Sequence, residues 1–241
     1  MRDYILLEVR RTLRDKGFVI FGIGMPVLMY VLFTHIGAAS GGQDDWRVGV
    51  MVSMAAYGAL GAALSSGNGV AEDKALGWLR QLRITPLSPT KAVVGRGITS
   101  SVTVLPAIAA VLLVGAVVNG VRLAAWQWVA LVVLLWLGTA PFTLLGLGNG
   151  YRLSSQTTGL VNTGCTLGLA LLGGLWFPSV AFPRLLRELS GWTPAHRFAD
   201  LGWSVTEGHL PGPTTVLVLL AWLAAFGSYA VYAYRRAARE V

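Results

Sequence analysis

Six stretches of this chain contain no Asp, Glu, Lys or Arg: residues 17–43, 48–71, 97–121, 123–151, 153–183 and 210–234. The shortest has 24 residues and the longest 31. About 20 apolar residues in a helix cross the hydrocarbon core of a bilayer, so each stretch is long enough to span it. Burial inside a soluble core cannot explain them, because together they take up 161 of the 241 residues. The chain is 54% hydrophobic and 12% charged, whereas soluble domains carry about 25% charged residues. Such a composition excludes a disordered chain. It also argues against a soluble nucleic-acid-binding domain, despite a net charge of +8. The expected fold is an all-α membrane protein with six transmembrane helices, forming a single transmembrane domain over residues 1–241. The first stretch exceeds the 7–15 residues of a signal-peptide core and is expected to be an uncleaved span.

The sparse charges are unevenly placed. With six spans, both termini lie on one side. That side holds 14 Lys and Arg, chiefly in residues 2–16 and 74–96, and the other side holds 5. The positive-inside rule puts both termini in the cytoplasm. Acidic residues divide 6 to 5, so the whole basic excess is expected to be cytoplasmic.

Residues 1–16 read as an interfacial amphipathic helix. Ile5, Leu6, Val9 and Leu13 share one stripe, and a basic face opposes it. Spans one and two fill 17–71, with Pro26 expected to bend the first. The inner end of span two, Ser65-Ser66-Gly67-Asn68-Gly69, is small and polar. It suits either close helix packing or the wall of a polar path.

Residues 72–96 form the most informative loop. Glu72 and Asp73 suit the start of a new helix. Leu76, Leu79 and Leu82 repeat every three residues, Arg80 and Arg83 favour a C-terminal end, and Pro86 stops it. With Trp78, this knuckle offers an apolar and arginine-bearing surface to a protein partner, or else lies flat on lipid.

Spans three to five occupy 97–183. Pro106 and Pro141 should bend the third and fourth. The fourth ends in Gly146-Leu147-Gly148-Asn149-Gly150, read as a closely packable terminus. In the fifth, Ser155, Thr158, Asn162 and Thr166 follow the spacing of one helical face, which Gly159 and Gly173 extend. A polar stripe in a membrane helix must meet another helix or water. It is either interhelical glue, a substrate path, or both. Residues 184–209 are expected to form two short helices that re-enter the outer leaflet, divided at Pro194. Span six and a cytoplasmic tail fill 210–241, with Tyr229, Tyr232 and Tyr234 anchoring the inner end.

Several chemistries lack their residues. Lys16, Lys74 and Lys91 are the only lysines and none follows glycine, so there is no phosphate-binding Gly-x-x-x-x-Gly-Lys loop. No His-Glu-x-x-His sequence occurs, and the single Cys165 offers no metal cluster. His35, His196 and His209 have no visible catalytic partner. The chain is therefore not expected to be an enzyme. Carboxylates are missing from every span, which argues against a proton- or sodium-coupled pump. A path lined by hydroxyls, amides and apolar groups suits a lipophilic or amphipathic cargo.

Three stretches carry a resemblance. They are the basic helix before a Pro26-containing span, the run Glu72-Asp73-Lys74 through Gly77-Trp78-Leu79-Arg80-Gln81-Leu82-Arg83-Ile84-Thr85-Pro86-Leu87-Ser88, and Phe182-Pro183 through Trp192-Thr193-Pro194-Ala195-His196-Arg197-Phe198. In this order, and over essentially its whole length, the chain resembles the six-span membrane subunit of type-2 ATP-binding-cassette (ABC) exporters. The resemblance implies a separate ATPase, expected in two copies, which would bind ATP and Mg, and a second permease, a copy or close relative. Glu72, Asp73, Leu76, Trp78, Leu79, Arg80, Leu82, Arg83 and Pro86 would form the coupling helix. Residues 3–16 would be the connecting helix. Ser65, Asn68, Ser155, Thr158, Asn162 and Thr166 would line the path. The function it implies is antibiotic or multidrug efflux across the bacterial cytoplasmic membrane. The alternatives are export of lipid, glycolipid or polysaccharide, or a membrane sensor that binds a partner without transport.

Overall fold

The computed structural model describes residues 17–39, 44–76, 93, 96–98, 100–177 and 182–238. The helix read over residues 3–16, and Trp78, Leu79, Arg80, Leu82, Arg83 and Pro86 of the coupling knuckle, lie outside them. The described helices are α1 (Met25–Ala39), α2 (Asp44–Ala75), α3 (Leu105–Val117), α4 (Ala125–Gly138), α5 (Ala140–Arg152), α6 (Ser155–Leu172), α7 (Arg184–Ser190), α8 (Pro194–Thr206) and α9 (Pro213–Ala237). The chain is all-helical among the described residues.

Four of these helical runs are long and apolar enough to cross a membrane: Asp45–Ala75, Arg96–Val117, Ala125–Arg152 and Pro213–Ala237. Gly22–Ile36 is a shorter apolar helix. The 18-residue α6 falls outside this set, because the polar stripe along it dilutes its apolar character. Length and composition thus support an integral membrane bundle, and the six-span count goes beyond them.

Helix α2 is the hub. It packs against α1, α3, α5, α6 and α8, and 78% of its apolar window is buried, against 17% for α9. Its Met51, Met54, Leu60 and Leu64 join Tyr30, Ile108, Leu131 and Leu135 in the core. Helix α9 lies at the rim, where Leu217 and Leu220 stay exposed. Outward apolar side chains are what a lipid-facing helix requires, because acyl chains solvate them as well as a protein core does.

Prolines shape the spans as expected of a residue with no amide hydrogen. A π-helical turn, Phe18–Gly24, precedes Pro26, a widening that accommodates the lost bond. Pro106 and Pro141 each fall in the first turn of α3 and α5. The fourth span is therefore two helices, α4 and α5, divided at Thr139, whose hydroxyl donates back to the Trp136 carbonyl at 2.6 Å. The turn at Asn119–Arg122 forms as read, with Gly120 at φ +64°. Residues 184–206 form two short helices, with Pro194 in the first turn of the second. There Phe198, Leu201 and Val205 are buried. Asp200 accepts a hydrogen bond from Thr215 in the first turn of α9 and pairs with Arg197 at 3.6 Å.

Two expectations are corrected. Glu72 and Asp73 do not begin a helix; they continue α2, which ends only at Ala75. No glycine or proline lies between Ala71 and Leu76 to stop it, and Gly77 is the first residue that could. The tyrosines of α9 do not form a common outward belt. Tyr232 is exposed, but Tyr234 is buried edge-on against Tyr151 at 5.2 Å. Tyr229 turns inward to α5. The reason is Gly148, whose missing side chain leaves room on α5 for the Tyr229 ring.

Candidate translocation wall and coupling corner

The polar stripe of α6 faces inward. Thr158 and Asn162 are buried, Ser155 and Thr166 are half-buried, and the stripe looks toward α2 and α5. Asn162 Nδ2 donates to the Leu64 carbonyl at 2.9 Å and to Asn68 Oδ1 at 3.2 Å. Its Oδ1 accepts from Asn149 Nδ2 at 2.8 Å. Asn149 Oδ1 in turn accepts from the Tyr229 hydroxyl at 3.0 Å. One network therefore joins α2, α5, α6 and α9. Both amide hydrogens of Asn162 are used, so in this arrangement it has no donor left for a passing ligand. Thr158 and Thr166 donate to carbonyls one turn back, Ser154 and Asn162, each at 2.8 Å. Ser65 does likewise to Ala62.

The helices can approach this closely because glycines face each other. A methyl group on Gly67 would fall on the Gly146 carbonyl, one on Gly146 on the Leu64 carbonyl, and one on Gly150 on the Gly67 carbonyl. Gly148, on the opposite face of α5, lies against Tyr229 and Ala230 of α9. The glycine-rich runs of α2 and α5 are thus a tight backbone contact, the close-packing alternative of the two read for Ser65–Gly69. Asn149 and Tyr229 were not foreseen as network members. The available signal was an amide flanked by glycines inside an apolar run, which places a polar group where backbones touch.

Below the network lies a charged corner. Lys74 Nζ donates to the carbonyls of Tyr151 and Leu153, at 3.0 and 2.6 Å. It thereby caps the C-terminus of α5, where free carbonyls and the helix dipole favour a cation. Ser154 then caps α6 by accepting from the Thr157 amide. Asp73 pairs with Arg96 at 2.8 Å, joining the two ends of the 72–96 connection. Both side chains are about 30% exposed, so the pair contributes at most about 1 kcal/mol. Glu72 is exposed and Leu76 is 85% exposed. The described part of the knuckle thus leaves the bundle with an open leucine.

Replacing Asn162 should show what the network contributes. Asn162→Ala removes three hydrogen bonds and strands the Asn149 amide, a loss of about 1–3 kcal/mol. Asn162→Asp should cost more, because a carboxylate has no hydrogen to give Leu64 or Asn68 and a mid-membrane charge costs about 2.5–3.5 kcal/mol. Thermal unfolding of the detergent-solubilised protein should rank wild type above Asn162→Ala above Asn162→Asp. Thr163→Ala, on the exposed face, should match wild type. Equal midpoints for all four would remove the network from the account.

A bundle of apolar helices joined by a buried amide network, with its central helix extended into a charged corner, is the architecture of an integral membrane protein. Residues 5–201 match the family model described as ABC-2 type transporter, and the chain belongs to that family. It is 26% identical over 233 residues to a Bacillus subtilis (strain 168) protein named "Putative transport permease YvfS", covering 96% of this chain and 95% of that protein. The chain is thus a transport permease subunit of an ABC transporter, and the family implies an ATPase partner.

Proposed function

We propose that this permease exports a lipophilic or amphipathic compound, an antibiotic or a range of drugs, out of the bacterial cytoplasmic membrane. Two copies of a separate ATPase, binding ATP and Mg, drive it. Six spans place both termini and the 72–96 knuckle in the cytoplasm. The observation that carries the reading is α2, which runs unbroken from the Asn68–Asn162 network to the exposed Leu76. A partner that grips Glu72, Asp73, Leu76, Trp78, Leu79, Arg80, Leu82, Arg83 and Pro86 would act directly on the wall. ATP-driven closure of the ATPases then moves the knuckles, and the spans switch access from inside to outside.

A second copy of the chain completes the path. The outward face of α6 supports this: Gly164 and Gly168 are four residues apart, with nothing within 4 Å of where their side chains would be. Leu160 and Leu171 are exposed beside them. Glycines at this spacing let membrane helices meet closely. Ser65, Asn68, Ser155, Thr158, Asn162 and Thr166 then form and brace the wall behind that contact. The absence of carboxylates from the spans favours an amphipathic cargo over an ion.

Co-expression with an ABC ATPase, sought first in the adjacent reading frames, tests this. The expected result is a co-purified complex with two copies of each chain, and cells that accumulate less of an amphiphilic dye or drug. A permease that purifies without any ATPase, together with unchanged accumulation across a drug panel, would overturn it.

A further inference from the structure

At the end of the bundle away from the 72–96 connection lies a cavity of about 960 Å³. The start of α2, the turn between α3 and α4, and the end of α8 enclose it. Its floor is already committed. Asn119 Nδ2 donates to Thr34 Oγ1 at 3.2 Å. Gln127 Nε2 donates to the Val205 and Thr206 carbonyls, and Gln127 Oε1 accepts from the Ala124 amide. The Trp203 indole donates to the Gly49 carbonyl at 3.4 Å. These bonds tie the α3–α4 turn to α1, α4 to α8, and α8 to α2.

Two of the charges around it, Arg122 and Asp45, are not committed in this way. Arg122 and Asp45 both line the cavity. Neither makes a side-chain hydrogen bond or ion pair among the described residues. Arg47 and Glu207 line it as well, and Glu207 lies 3.0 Å from His209 Nε2. Charges of both signs thus share one cavity without Arg122 and Asp45 meeting. A simple anion or a simple cation would satisfy one of them and be repelled by the other. A ligand that carries an anion and a cation together engages both.

We infer that this cavity binds a phosphate joined to a primary ammonium, the headgroup of phosphatidylethanolamine, with Arg122 on the phosphate and Asp45 on the ammonium. Guanidinium recognises phosphate through paired N–H donors. A primary ammonium brings three donors to a carboxylate. The quaternary ammonium of a choline headgroup brings none and is held instead by aromatic cages, and among the described residues Trp203 alone of the aromatics lines this cavity. The site depends neither on the ATPase nor on the transport reading, so each can fail without the other.

The test uses the full-length permease purified in detergent and exchanged into nanodiscs of equimolar phosphatidylethanolamine, phosphatidylcholine and phosphatidylglycerol. Lipid retained after delipidation is measured by native mass spectrometry. Phosphatidylethanolamine should be retained about tenfold over the other two. Arg122→Ala and Asp45→Asn should each remove that preference. Arg122→Lys and Asp45→Glu, which keep the charges, should restore part of it and guard against misfolding. Arg152→Ala, on the exposed end of α5, should leave it unchanged. Soluble glycerophosphoethanolamine, added separately, distinguishes a headgroup that binds alone from one that needs its acyl chains; competition in either form supports the site. Equal retention of phosphatidylcholine or phosphatidylglycerol, or wild-type retention in both neutralised variants, would overturn it.

Discussion

Gly146→Val is expected to abolish the folded permease. The new side chain would meet the backbone of α2 at Leu64, not the tip of a flexible side chain. Helix α5 cannot retreat, because Gly148 on its other face already rests against Tyr229 and Ala230 of α9. Overpacking in a core that can adjust costs about 1–3 kcal/mol. Here both sides are held, so the cost should approach the whole stability of a domain, about 5–15 kcal/mol. Separating α2 from α5 would also part Asn162 from Asn68 and Asn149, adding unpaired amides in a membrane. Size-exclusion chromatography of the detergent extract should show aggregate in place of a monodisperse peak. Gly159→Ala, with nothing within 4 Å, should behave as wild type. A monodisperse Gly146→Val protein with a wild-type melting point would show that the α2–α5 contact is not what holds the bundle.

Reversing the character of the knuckle should have the second largest effect, on energy coupling and not on folding. Leu79→Asp puts a carboxylate on the apolar repeat, and Arg80→Glu inverts a charge next to it. At protein interfaces such changes at central leucine or arginine positions cost about 2–4 kcal/mol. Each variant should therefore reduce permease-stimulated ATP hydrolysis by roughly 30-fold or more. The melting point of the isolated permease should stay at its wild-type value. Full stimulation in both variants would remove residues 72–86 from the coupling role proposed for them.

The sequence announced features that depend on one helix alone. The turn at Asn119–Gly120, the proline positions and the division at Pro194 all appear where local rules put them. What it could not announce depends on the neighbour. Tyr229 and Tyr234 have the composition of an interfacial belt, yet they point inward because Gly148 and Tyr151 of α5 offer a space and a ring. Asn149 became part of the network only because Asn162 and Tyr229 arrive beside it. Glu72 and Asp73 satisfy the preference for acids at a helix start as well as they satisfy an unbroken helix. Only the run of residues after them, free of breakers up to Gly77, decides between the two. In the candidate site, the inward face of α6 was legible from its spacing. That its central amide would be fully occupied was not.

The length of α2 has a geometric consequence. Its 32 residues make a rod of about 48 Å, against about 30 Å of hydrocarbon. A tilt of about 5° about one end carries the other end through about 4 Å, close to the rise of three helical residues. Lys74 ties that end to the corner between α5 and α6, so a tilt of α2 would carry the corner with it. Under the coupling role proposed above, α2 would act as a lever with its load already attached.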